Sequence, residues 1–114
     1  MRTIIAGTRD TELAYSHLVK AIALSGFEIT QVLSGCSGMV DRCAETWARC
    51  HGKPLHRHPA DWEKHGKKAG PVRNEAMAKQ ADALIAVWDG ASPGTADMIR
   101  RARKHKLKVF IYRV

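Results

Sequence analysis

Hydrophobic and polar positions follow two alternating rhythms along the chain. Short apolar or β-branched runs occur at Thr3–Ala6, Glu28–Leu33, Pro54–His58, Asp82–Trp88 and Lys108–Tyr112. Between them lie segments with apolar residues at helical spacing: Thr11–Ser25, Val40–His51, Pro71–Gln80 and Thr95–His105. The runs predict strands and the 3.6-residue repeat predicts helices. In the first helix Leu13, His17, Leu18, Ala21 and Leu24 mark the inner face, and Gly26 marks the stop. Asp82–Trp88 reads Asp-Ala-Leu-Ile-Ala-Val-Trp, the clearest buried strand. Pro71 opens the third helix, where its missing N–H costs nothing. The order β-α-β-α-β-α-β-α-β predicts an α/β fold. We expect a small Rossmann-like three-layer domain, with a five-stranded parallel sheet in the order 3-2-1-4-5 and helices on both faces. Ligands of such sheets bind beyond the carboxyl ends of the strands, at the point where the order reverses. Here that point lies between strands 1 and 4.

The length of 114 residues, with no repeat or linker, predicts a single domain over 1–114. No apolar run approaches the roughly 20 residues that span a bilayer. The apolar part of the N-terminus is too short for a secretory signal. A cytoplasmic protein with no membrane association is expected. Cys36, Cys43 and Cys50 recur every seven residues. The last two would lie on one helix, ~10 Å apart at 1.5 Å per residue, too far for a disulfide. A zinc site prefers closer pairs, so the three are expected to be small buried hydrophobes. His56 and His58 share a strand face, but the histidines form no metal motif. No metal and no cofactor are expected.

Charge changes the picture. Nineteen Lys and Arg against eleven Asp and Glu leave a net charge of +8, which favours an anionic partner. Much of the excess lies in residues 100–108 (Arg-Arg-Ala-Arg-Lys-His-Lys-Leu-Lys). Cations suit the negative end of a helix, so this run is expected to be a solvated helix end, with nucleic-acid contact as the alternative.

Four loops fall at the carboxyl edge of the predicted sheet. In Gly7-Thr8-Arg9-Asp10, glycine allows close backbone approach, Thr8 offers a hydroxyl and Arg9 a guanidinium fork. Ser34-Gly35-Cys36-Ser37-Gly38-Met39-Val40-Asp41 suits a phosphate cradle. It carries neither the dinucleotide fingerprint nor the phosphate-loop lysine, and Asp41 favours the helix start. In Pro59–Asn74, Trp62 is a stacking surface for a base and Lys67 a phosphate contact. Arg73 is predicted in the first turn of a helix, where a cation opposes the dipole. Either an anion at that helix start or a salt bridge to Asp61, Asp89 or Asp97 resolves the conflict. In Trp88–Asp97, Gly94-Thr95 opens a helix with bare N–H groups and a hydroxyl, an anion seat. Asp89 is placed to accept from ribose hydroxyls, and Asp97 to satisfy the dipole of the first turn.

Taken in order, these segments resemble the YspA/YpsA-related branch of the SLOG superfamily. The residues that carry the resemblance are Gly7-x-Arg9, Ser34-Gly35 with Asp41-Arg42, Pro59-Ala60-Asp61-Trp62, Gly66-Lys67 and Ala69-Gly70-x-x-Arg73-Asn74-x-x-Met77. Ala81-Asp82-Ala83-Leu84 and Trp88-Asp89-Gly90-x-Ser92-x-Gly94-Thr95-x-x-Met98-Ile99 complete the set. The resemblance implies a Rossmann-like fold that binds nucleotides or their derivatives, in proteins of bacteria and phages. Relatives include the Lonely Guy phosphoribohydrolases, which cleave nucleoside monophosphates, and the DNA-binding DprA proteins. By position, Arg73 looks like the Lonely Guy arginine, and Gly94-Thr95-Ala96-Asp97 like its Gly-Thr-x-Glu motif. Asp97 is one methylene shorter than that glutamate, Ser92-Pro93 replaces the Gly-Gly pair, and Met39 stands where glycine is frequent. Relatives often dimerise, so the resemblance allows a homodimer or higher homo-oligomer.

The expected function is binding of a nucleotide or nucleotide-derived phosphate ligand. Gly7, Thr8, Arg9, Ser34, Gly35, Asp41, Trp62, Lys67, Asn74, Asp89, Gly90, Ser92, Gly94 and Thr95 are the binding residues. The first alternative is an N-glycosidase on nucleoside monophosphates, with Arg73 and Asp97 as catalytic residues. The second is single-stranded nucleic-acid binding through Lys64, Lys67, Lys68 and the 100–108 run.

Overall fold

A computed structural model describes all 114 residues. Five strands form one parallel sheet in the order β3-β2-β1-β4-β5, as the alternation predicts. They are β1 (Arg2–Gly7), β2 (Gln31–Ser34), β3 (Leu55–Arg57), β4 (Ala83–Trp88) and β5 (Lys108–Arg113). The helices are α1 (Ala14–Ser25), α2 (Met39–Cys50), a short α3 (Trp62–His65) running into a 3₁₀ turn at Gly66–Lys68, α4 (Ala69–Gln80) and α5 (Pro93–Lys104). No helix is long and apolar enough to cross a membrane.

The central strands are apolar throughout because both faces of the sheet are covered. Successive side chains alternate between two cores. Ile5, Ile85 and Val87 pack with Leu18 and Ala21 of α1 and with Val40, Ala44 and Trp47 of α2. Ile4, Leu84 and Ala86 pack on the opposite side with Met77 and Ala78 of α4 and with Met98, Ile99 and Ala102 of α5. β1 lies between β2 and β4, with Ile4 opposite Leu33 on one side and Leu84 on the other. Its carboxyl end is therefore where the chain's two halves meet.

Several boundaries differ from expectation. α1 starts at Ala14 because Leu13 adopts a left-handed conformation (φ 55°). Its buried line is Ala14, Leu18 and Ala21, whereas Leu13 and Leu24 are exposed. Leu24 stands roughly a quarter-turn from that line at 3.6 residues per turn, and Leu13 precedes the helix. α4 starts at Ala69, since α3 and the 3₁₀ turn lead directly into it. Pro71 is still within its first turn, where the N–H would have no partner, but Arg73 is the fifth residue and lies beyond that turn. α5 starts at Pro93, so Asp97 also lies past the first turn. The cysteines are not buried hydrophobes: all three are free, Cys36 and Cys43 are half-buried and Cys50 is exposed. The sheet has no place for Cys50 because it ends α2 on the solvent side.

Candidate functional site

A cleft of about 710 Å³ opens at the carboxyl ends of β1 and β4, in the size range of small-molecule sites. Four segments build its walls: the β1–α1 loop, the β2–α2 loop, the start of α4 and the start of α5. Of the residues expected in the site, all but Thr8, Ser34, Asp89 and Gly90 line this cleft.

Those four hold its framework. Thr8 Oγ1 accepts from Asp89 N at 2.9 Å, and Thr8 N donates to Val87 O at 2.9 Å, which ties the ends of β1 and β4 together. Ser34 Oγ donates to Glu45 Oε2 at 2.9 Å and accepts from Cys36 N, fixing the β2–α2 loop from below. Asp89 closes its own turn: Oδ1 accepts from Ala91 N and Ser92 N at 2.8 and 2.7 Å, and Oδ2 from Ser92 Oγ at 3.0 Å. These backbone N–H donors hold its carboxyl below the ordinary aspartate range. Gly90 takes φ 84°, a left-handed conformation that favours glycine, beside the Arg113 guanidinium.

At the floor, Arg73 reaches across from α4 to the β2–α2 loop. Its Nε donates to Asn74 Oδ1 at 2.9 Å and its NH1 to Gly35 O. The alternative, a salt bridge to Asp61, Asp89 or Asp97, does not form. The nearby carboxylate is Asp41, which accepts from Ser37 N at 2.9 Å and from Ser37 Oγ at 3.2 Å. Burial draws the Arg73 guanidinium below its usual value, against the pull of Asp41. Burial likewise pushes the Asp41 carboxyl above the ordinary range, against the Ser37 bonds and Arg73. Gly35 admits Arg73 because it has no side chain: a Cβ there would lie 2.6 Å from Arg73 NH1.

The raised Asp41 value fixes the sign of a pH effect. The native state binds the proton more readily than the unfolded chain, so its stability falls as pH rises from about 4. The fall ends once the pH passes the raised folded value. In thermal unfolding from pH 3.5 to 7, Asp41→Asn is therefore expected to gain on the wild type as pH rises. A gap that stays flat or moves the other way would show that burial does not dominate at this carboxylate.

The start of α5 forms the opposite wall. No side chain caps it, and Ala96 is the first residue whose N–H bonds back, to Ser92 O at 3.1 Å. The Gly94 and Thr95 N–H groups therefore have no helical partner. A Cβ at Gly94 would meet no atom within 4 Å. Asn74 joins the two walls, its Nδ2 donating to Asp97 Oδ2 at 3.0 Å and to Gly94 O at 3.3 Å. Trp62, 57% exposed, and Lys67 stand at the rim. Arg9 lines the same cleft, and its carbonyl accepts from Met39 N at 2.9 Å.

A model of the YspA, cpYpsA-related SLOG family matches residues 1–65. The chain belongs to that family. The Gene 61 protein of Mycobacterium phage D29 is 36% identical over 119 residues, covering 95% of this chain and 93% of its own length. SLOG membership makes this a nucleotide-related binding fold. The family model spans the Gly7, Gly35 and Asp41 wall, whereas Arg73, Asn74 and the α5 start lie beyond it. Within this SLOG cleft, sequence reasoning missed Ser37, Gly70 and Arg100. Arg100 was assigned to the solvated run, yet its place three residues after Asp97 puts both side chains on one helix face.

Proposed function

We propose that the cleft binds a nucleotide or nucleotide-derived phosphate ligand. The observation that carries this reading is the uncapped start of α5. Its Gly94 and Thr95 N–H groups border the same cleft as the half-buried guanidinium of Arg73. Unpaired helix-start amides and an arginine fork are both phosphate receptors. Arg9, Lys67 and Arg100 add cationic character around them. The exposed face of Trp62 suits a base, which needs an apolar surface of that breadth. Hydrogen-bond acceptors for sugar hydroxyls come from Asp97 and Ser92.

A thermal-shift panel of mononucleotides, NAD, ADP-ribose and cyclic nucleotides tests this. A ligand at a hundred times its Kd is expected to stabilise the fold by about 2.7 kcal/mol, a rise of several degrees in Tm. Absence of any shift at millimolar concentration removes the reading.

A second reading, hydrolysis of the N-glycosidic bond of a nucleoside monophosphate, is favoured by one observation. The Asp97 carboxylate lies inside the cleft and is only 13% exposed. Placed there, the carboxylate would stabilise an oxocarbenium-like state electrostatically. Release of free base from nucleoside monophosphates, abolished in Asp97→Asn, is the expected result. No release from any of the four common ribonucleotides would confine the site to binding.

A further inference from the structure

Two arginines reach the Asp97 carboxylate from the next turn of α5, and they are held very differently. Arg101 Nε lies 2.9 Å from Asp97 Oδ2, and its NH1 lies 3.1 Å from Glu75 Oε1 on α4. Glu75 is itself fixed by His105 Nε2 at 2.8 Å, with Lys104 Nζ at 4.0 Å. Arg101 is thus braced at both ends and only 24% exposed. Arg100 NH2 meets Asp97 Oδ1 at 2.5 Å, but its side chain is 71% exposed and this is its one carboxylate partner. The Arg100 end of this pair stands in solvent with no second carboxylate to brace it, so it is the more readily exchanged of the two. Arg100 also lines the cleft, whereas Arg101 does not.

We propose that Arg100 is the mobile anion-recruiting residue of the site, passed from Asp97 Oδ1 to an anionic group of the ligand. Arg101 and Glu75 are positioning residues that keep Asp97 in place during the exchange. No covalent bond changes; one ion pair replaces another. The exchange has a chemical consequence. When Arg100 leaves, Oδ1 becomes a free acceptor, while Oδ2 stays engaged by Arg101 and by Asn74. The ligand that gains most carries an anion and a hydroxyl donor within a few ångströms of each other, as a sugar phosphate does. A bare anion would take Arg100 but leave Oδ1 unpartnered. This inference rests on the nucleotide reading of the cleft.

The probes are inorganic phosphate, AMP and 2′,3′-dideoxy-AMP. They are followed by arginine Nε–Hε NMR and by calorimetry on the full chain. In the wild type, phosphate and AMP are expected to shift the Arg100 signal and leave that of Arg101 in place. AMP is expected to bind about tenfold more tightly than the dideoxy form, the scale of one hydrogen bond to a charged group. Arg100→Ala is expected to weaken AMP about tenfold. Arg101→Ala is expected to erase the preference for AMP over the dideoxy form while phosphate still shifts Arg100. Arg101→Lys serves as a second variant should the alanine form fail to fold.

The proposal is overturned if AMP binds without moving the Arg100 signal, or if the wild type does not distinguish AMP from its dideoxy form. It is also overturned if both arginine signals move alike. If phosphate moves Arg100 but AMP binds no more tightly than phosphate, the nucleotide reading and the hydroxyl half of the exchange fail, and Arg100 stands as a simple anion receptor. If neither probe binds at millimolar concentration, both readings fall together.

Discussion

Gly7→Ala is expected to destabilise the fold by about 3 kcal/mol, the upper end of the usual cost of overpacking. Gly7 ends β1 at the centre of the sheet. A Cβ there would lie 2.5 Å from Val87 O, 2.7 Å from Val40 Cγ2 and 2.8 Å from Val40 Cβ. Neither neighbour can yield cheaply. Val87 O already accepts from Thr8 N, and Val40 is fully buried at the start of α2. Relief would require α2 to move off the sheet, opening the Val40–Trp47 core. A loss of about 10 °C in Tm is expected for a chain of this length. Gly94→Ala is the control. Its Cβ would meet nothing within 4 Å, and alanine is the better helix former. Thermal unfolding should place it within about 0.5 kcal/mol of the wild type, as for most exposed substitutions. A Gly7→Ala protein that melts with the wild type would show that the β1–α2 contact is looser than the geometry states.

The second large effect concerns Arg73. Arg73→Met is expected to weaken the nucleotide giving the largest thermal shift by roughly tenfold to a hundredfold, the scale of losing hydrogen bonds from a half-buried charged group. The side chain bridges two walls, donating to Asn74 Oδ1 and to Gly35 O in different directions. A lysine has no planar fork to reproduce that geometry, so Arg73→Lys should recover little. Loss of the guanidinium also leaves the buried Asp41 carboxyl without its nearest cation, and its protonation should move still higher. Calorimetry on the variant, with its folding verified by circular dichroism, measures the effect. Affinity within threefold of the wild type would remove Arg73 from the binding machinery.

The fold was largely legible in the sequence because periodicity reports burial, and burial decides strand order once crossovers are restricted. Leu84, Ile85, Ala86 and Val87 read as one apolar run because each faces a helix layer, whichever way it points. The ends of the helices were less legible. Leu13 sits in a left-handed conformation that no spacing announces. The start of α4 depends on a 3₁₀ turn that is lysine-rich and without apolar period. The site was legible by location but less so by role. Gly7 suggested an approach for a ligand; it lines the cleft, and it also admits Val40. Asp89 suggested a ribose contact, whereas its oxygens close a turn. Loop glycines and aspartates serve turns and ligands with the same chemistry, and only the partners in space separate the two. Arg100 was hidden by its neighbours, since a run of cations gives no sign that one of them folds back onto a carboxylate.

The placement of β1 between β2 and β4 also bears on how the molecule comes to exist. The neighbours on one side lie about thirty residues along the chain, and those on the other about eighty. Pairings that close long loops form late and slowly. The cleft straddles this seam, so a nascent chain that has made only its first three strands holds Gly7, Arg9, Gly35 and Asp41 but neither Arg73 nor the α5 start. On the proposed nucleotide reading, the complete set of ligand contacts would exist only once the most distant strands of the sheet have met.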